Sequence, residues 1–254
     1  MKEKAQLSLF FIFGISVLIA ILFLNYIKSY EKESSFKKES DISNTASMQP
    51  DLAPIKLNID FCLQETTKEA LTYIGLHGGY YNMPNPKVTY FWDDFPYYVY
   101  GGKNHTPSLE AIEAQISDFI AEQSPYCIDS INLEGVAIDG KINFIKTSIR
   151  NGSVLIHVDY PISVKKANSI KKISNFNYEI PIRLKAVYEV AFKIAQEKLR
   201  SGKKLCADCL INLASTNDVF LDVTKYKNDT LIFNIIDNTT RLDESNYVFS
   251  FATG

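Results

Sequence analysis

Tryptophan, histidine and cysteine are scarce in this chain: one, three and four residues among 254. His77, His105 and His157 stand far apart, so no His-x-x-x-His spacing exists and the commonest helical metal site is excluded. His77 reads as the end of a helix, where a cationic side chain suits the dipole. His105 falls in a solvated loop, and His157 points to the opposite face of a strand from Ile156 and Val158. A dominant charge is missing too. Lys and Arg number 27 against 29 Asp and Glu, a formal net charge of −2, so no basic field suggests nucleic acid as a partner. No Gly-x-Ser-x-Gly elbow and no phosphate-loop motif occurs, and Gly78-Gly79 lacks the strand-turn-helix setting such a loop needs. Neither a cofactor nor a metal is implied, and a binding or structural role is expected before an enzymatic one.

Charge is absent altogether from Leu7 to Leu24, LSLFFIFGISVLIAILFL, where only Ser8 and Ser16 have polar side chains. At about 1.5 Å per residue a helix of this length reaches roughly 27 Å, close to the ~30 Å of a bilayer core. A cleaved secretory signal would end in small residues, but Asn25-Tyr26-Ile27-Lys28 follows, and Tyr26 and Tyr30 suit a membrane interface. The expectation is an N-terminal tail and retained transmembrane anchor over residues 1–27, with membrane lipid as partner through residues 7–24. Lysines flank both ends (Lys2 and Lys4; Lys28, Lys32, Lys37 and Lys38), so they do not set orientation. Four Asn-x-Ser/Thr glycosylation candidates, at Asn104, Asn151, Asn228 and Asn238, and the paired cysteines favour an exported body. The expected location is the cell membrane, single-pass, with the C-terminal domain outside the cytoplasm.

Lys4-Ala5-Gln6-Leu7-Ser8, followed at once by the apolar run, resembles the class III signal of archaeal type IV pilin-like proteins. The resemblance covers about twenty-five residues and implies processing between Ala5 and Gln6, with the helix retained on the mature chain. Phe10 stands where that family often has an acidic residue. An anchor followed by an extracellular domain with paired cysteines also resembles archaeal membrane-anchored proteins.

Residues 28–54 are polar, charged and serine-rich, ending with Pro50 and Pro54; they cannot bury a core and read as a flexible tether. Residues 55–254 are long enough for one α+β domain of antiparallel sheet packed with amphipathic helices. Helices are expected from Cys62 to His77, from Pro107 through Ile112, Ile116, Phe119 and Ile120, and from Ile182 to Ser201. Strands are expected at Val88–Trp92, Val136–Ile138, Ile142–Ile149, Val154–Val164, Val219–Tyr226, Thr230–Ile236 and Tyr247–Phe251. Asp139-Gly140 and Asn151-Gly152 read as tight hairpins. The order helix, cysteine, Ile-Asn-Leu, strands occurs twice, at Ile131–Leu133 and Ile211–Leu213, which suggests a two-part repeat over about 106–165 and 182–254.

Cys62, Cys127, Cys206 and Cys209 allow three pairings, the simplest being Cys62 with Cys127 and Cys206 with Cys209. A redox pair and half of a zinc site remain open for Cys206-x-x-Cys209. Against redox chemistry, the motif follows a predicted helix, whose dipole would have the wrong sign to favour a thiolate. The other candidate surface is aromatic. Tyr80 and Tyr81, then Trp92 with Asp93 and Asp94, suit a ligand cleft or a protein contact. Together these readings describe a membrane-anchored cell-surface protein, structural or protein-interacting, with pilin-like assembly as one form of it. Its partners would be other envelope proteins or further copies of itself. The alternatives are a glycan- or peptide-binding module and, after it, an anchored hydrolase or thiol-redox enzyme.

Overall fold

A computed structural model describes residues 52–131, 136–166, 169–202 and 205–254. The apolar run, the Ala5-Gln6 site and nearly all of the tether lie outside them. Among the described residues no helix is long and apolar enough to cross a membrane. Lys56–Gly254 is one compact unit, an α+β arrangement of four helices and two sheets.

Helix α1 spans Ala53–Leu76 and begins nine residues before the expected start at Cys62. Pro54 does not prevent this, because a proline in the first turn loses no intrahelical hydrogen bond. Helix α2 spans Leu109–Asp129. Its cap is Ser108, whose Oγ accepts from the Ala111 N–H at 3.2 Å, so Pro107 lies outside the helix rather than at its first position. The expected apolar face is present: Ile112, Ile116, Phe119 and Ile120 are buried. Cys62 and Cys127 join α1 to α2 with their sulfurs 2.02 Å apart, at disulfide distance. Helix α3, Leu184–Ser201, buries Leu184, Val187, Tyr188, Ala191, Ile194 and Ala195, the stripe its period predicts. Helix α4, Ala207–Thr216, was not expected and has no buried residue.

The first sheet runs β1-β2-β10-β9-β8, with β3 also on β2. Its strands are β1 Lys87–Tyr90, β2 Asp93–Tyr100, β3 Lys103–Asn104, β8 Val219–Lys225, β9 Leu231–Leu242 and β10 Ser245–Thr253. All pairs are antiparallel except β2 with β10, a parallel contact at Tyr97–Ala252 and Val99–Thr253. The parallel pair closes the sheet between segments about 155 residues apart, beyond the reach of any hairpin argument. Tyr98, Phe233 and Phe251 stack in its core, with ring centroids 4.5 and 5.2 Å apart. On Tyr97, Ile232 and Ala252 pack Val88, Tyr90 and Phe95 of the β1–β2 hairpin, together with Tyr226. Gly75, near the end of α1, lets the helix lie against β10: a Cβ there would stand 2.5 Å from the Val248 carbonyl.

The second sheet centres on β6, Val154–Lys166, paired along one edge with β7, Ser169–Ile180. β5, Phe144–Ile149, pairs with Val154–Asp159, while β4, Val136–Gly140, pairs with Ile162–Lys166. The expected hairpin at Asn151-Gly152 forms, with Gly152 at φ 88° and the Arg150 N–H donating to the Ser153 carbonyl at 2.8 Å. The expected hairpin at Asp139-Gly140 does not. β4 and β5 follow one another along the same edge of β6, separated at a bulge where β6 carries Pro161, which has no N–H to offer a ladder. Gly140 is there for room, since a Cβ would meet the Pro161 carbonyl at 2.7 Å. Both halves of the suggested repeat are helix-then-meander, but only the second carries an extra helix. Ile211–Leu213 lies inside α4, whereas Ile131 follows α2 and Asn132 and Leu133 lie outside the described residues.

Candidate functional site

The aromatic stretch divides into two places. Tyr80 and Tyr81 follow α1 and are half-buried: the Tyr80 hydroxyl donates to the His105 carbonyl at 3.2 Å, and burial raises its phenol above the ordinary value. Tyr81 packs edge-on against Phe119 at 5.0 Å and accepts from the Gln123 amide at 3.2 Å. Tyr81, which also meets Tyr73 edge-on at 6.0 Å, is committed to packing between α1 and α2. Gly78-Gly79 makes the turn before both tyrosines, with φ 56° and 88°, and Gly78 also accepts the Tyr98 hydroxyl at 2.9 Å.

Trp92 sits elsewhere, at the tip of the β1–β2 hairpin. Tyr90 pairs with Asp93, so Phe91 and Trp92 form a two-residue turn instead of extending a strand as expected. Phe91 adopts φ 54°, the left-handed region that favours glycine or asparagine in such turns. Trp92 is 95% exposed and Phe91 77%. The stem beneath them is held firmly. Asp94 accepts from the Lys87 ammonium at 2.6 Å and from the Thr89 hydroxyl at 2.5 Å, and these donors hold its carboxyl below the ordinary carboxylate range. Tyr90 packs edge-on against Phe91 at 4.5 Å and against Tyr226 at 5.1 Å. Asp93 is exposed at the start of β2. The arrangement presents a large aromatic ring at the end of a two-stranded stem.

Cys206 and Cys209 have their sulfurs 2.13 Å apart, at disulfide distance and in the simplest expected pairing. Their setting differs from the sequence reading. The motif does follow α3, but it opens α4: Cys206 is the N-cap, and its Sγ accepts from the Cys209 N–H at 3.2 Å. The dipole at the motif is therefore that of a helix N-terminus, which favours a thiolate. The dipole argument against redox chemistry does not hold, because α4, a ten-residue helix, starts at the motif.

Two clefts lie away from the aromatic tip. One, of about 590 Å³, runs between α3 and α4 and is lined by Cys209, Leu210, Leu213, Lys193 and Glu197 among others. The second, of about 530 Å³, lies between α2 and the β4–β5 bulge, with Asp118, Asp129 and Lys141 on its walls. Neither is lined by Tyr80, Tyr81, Trp92, Asp93 or Asp94. Among the described residues no group of three or more His, Cys, Asp or Glu is placed to hold a metal ion. His77 Nδ1 lies 2.7 Å from the Tyr73 carbonyl, and His157 Nδ1 lies 2.7 Å from Asn177 Oδ1.

Of the glycosylation candidates, Asn104, Asn151 and Asn238 are exposed, on β3, at a hairpin tip and in β9. Asn104 Oδ1 accepts the Thr106 N–H at 3.0 Å, and the Asn238 sequon's Thr240 hydroxyl donates to Asp237. Asn228 lies in the short 3₁₀ turn Lys227–Asp229.

A polar junction that sequence reasoning missed sits behind α4. Asp237 is fully buried in β9, and Arg183, just before α3, donates to its Oδ1 at 3.2 Å and to the Asn217 carbonyl at 2.6 Å. Asn217 is the C-cap of α4, so one guanidinium ties together the start of α3, the end of α4 and β9. No family model, curated protein or solved structure matches this chain.

Proposed function

We propose that this chain is a membrane-anchored surface protein that works by protein contact, with Phe91 and Trp92 as the contact element and further copies of the chain as its partner. The observation that carries the reading is the hairpin tip. An indole 95% exposed is a poor use of apolar surface in an isolated molecule, and tryptophan is among the residues that most often anchor interfaces. The left-handed Phe91 adds to it. That conformation costs a non-glycine residue roughly 1–2 kcal/mol, and here it displays the ring to solvent instead of burying it. The uncharged run Leu7–Leu24 supports the anchor, and the pilin-like Lys4–Ser8 segment supports association of like subunits.

The full chain in detergent is followed by sedimentation velocity over a concentration series, with fluorescence of Trp92, the one tryptophan, as a second signal. Association should shift the emission to the blue. Trp92→Ala should weaken association by at least about tenfold. Phe91→Gly separates function from folding: it should weaken association while leaving the thermal midpoint unchanged or higher, because glycine relieves the turn. A chain that stays monomeric throughout overturns self-association. Mass spectrometry of the protein from its native membrane tests the anchor independently, with a mature start at Gln6 expected.

A further inference from the structure

We propose that Cys206–Cys209 is a reactive disulfide that accepts two electrons from a dithiol carried by a partner polypeptide. Three observations beyond the motif itself lead there. Both cysteines are exposed, whereas Cys62 of the other pair is 4% exposed between two packed helices. The pair opens a helix whose far end is tied down by Arg183 through the Asn217 carbonyl, so the disulfide sits on a positioned element. Cys209 also forms part of the wall of the cleft between α3 and α4, where Leu210 and Leu213 offer apolar surface and Lys193, Glu197 and Arg200 supply charge of both signs. That lining suits a peptide chain better than a small anion.

The exchange balances without any further reagent. A thiolate of the partner attacks Cys206 Sγ; the Cys206–Cys209 bond breaks, and Cys209 leaves as a thiolate that takes a proton. The partner's second thiolate then attacks its own sulfur in the mixed disulfide, and Cys206 leaves. The partner dithiol has lost two electrons and two protons and is a disulfide; the chain has gained them as two thiols. Departure of Cys206 is assisted by the Cys209 N–H that already points at its sulfur and by the helix N-terminus, since a better-stabilised thiolate leaves faster. This activity does not depend on the hairpin tip.

To test it, the full chain is equilibrated with graded ratios of reduced to oxidised glutathione, quenched in acid and alkylated, and each pair is scored by peptide mass spectrometry. Cys206–Cys209 should be half-reduced at a ratio at least tenfold less reducing than the one that opens Cys62–Cys127. If the two pairs open together, or Cys62–Cys127 opens first, the proposal fails. Single variants read the direction: with Cys209→Ser, glutathione disulfide should capture Cys206 at least tenfold faster than it captures Cys209 in Cys206→Ser. Equal rates would remove Cys206 as the favoured sulfur and overturn the assignment. A purely structural pair is recognised separately. Cys206→Ser with Cys209→Ser should lower the urea midpoint by at most half of what Cys62→Ser with Cys127→Ser does, and a larger loss assigns the pair to folding alone.

Discussion

Two acids follow Trp92, and their surroundings give them different work. Asp93 is exposed at the start of β2, while Asp94 receives Lys87 and Thr89 across the hairpin. As a sequence, an adjacent acid pair reads as a turn; in the fold the aromatic residues before it make the turn and the acids open a strand. The inversion has a physical reason. Thr89 stands directly opposite Asp94, with Lys87 diagonal to it, and donors so placed satisfy the carboxylate in an extended backbone. The bound donors lower the carboxyl pKa in the folded state. A group depressed in this way contributes stability that is present above its unfolded value, about 3.9, and is lost as pH falls through the lower folded value. The stem of the hairpin should therefore stay ordered at pH 5 and loosen only in strong acid. NMR of the Thr89 and Asp94 amides through an acid titration measures this, and Asp94→Asn should abolish the transition. An amide titration that moves near the ordinary carboxylate value instead would mean the Lys87 contact is not held in solution.

Elements were legible where their period was unbroken. The stripe of α3 and the even-numbered inward residues of β6, Val154 to Val164, can be read directly because nothing interrupts them. β7 escaped because its buried residues are Ile173, then Phe176, Tyr178 and Ile180: the parity slips by one, where the ladder with β6 also shifts register. α4 escaped because its cap is a cysteine rather than Ser, Thr, Asp or Asn, and because it buries no residue to mark a face. The polar junction behind it had no sequence signal at all. Arg183 meets Asn217 and Asp237, 34 and 54 residues further on, and no local spacing announces such a meeting. Its energetic weight can be argued nonetheless. Asp237 is fully buried, and its other partners, the Thr239 N–H at 3.0 Å and the Thr240 hydroxyl, carry no charge. Arg183→Met should therefore cost about 3–5 kcal/mol in urea unfolding, the range for removing one member of a buried ion pair. Arg183→Met combined with Asp237→Asn should recover part of that loss, which separates the stranded charge from lost packing.

At the scale of the molecule, α1 and α2 form an antiparallel pair that belongs to both sheets. Glu113 and Ser117 of α2 meet the Ile149 N–H at 2.7 Å and the Thr147 hydroxyl at 2.8 Å on the second sheet, while Gly75 brings α1 against β10 of the first. The residues that unite the pair were only partly readable. The stripe on α2 and the pairing of the two isolated cysteines could be anticipated, but the close approach at Gly75 depends on strands some 170 residues later. Cys62–Cys127 lies towards the opposite end of the pair from the Gly75–Gly79 turn and closes a loop across 65 residues. In the chain-entropy view, cross-linking over that separation disfavours the unfolded state by about 4 kcal/mol. Because both half-cystines sit in helices that already pack, the folded state should change little when the link is removed. Cys62→Ser with Cys127→Ser is thus expected to lose about 4 kcal/mol in urea unfolding and to keep the native circular dichroism. The slope of the transition should rise at the same time, because an unfolded chain freed of this link exposes more surface. A loss under about 1 kcal/mol with an unchanged slope would mean that side-chain packing alone holds the two helices together, and that the link adds little to the frame joining the sheets.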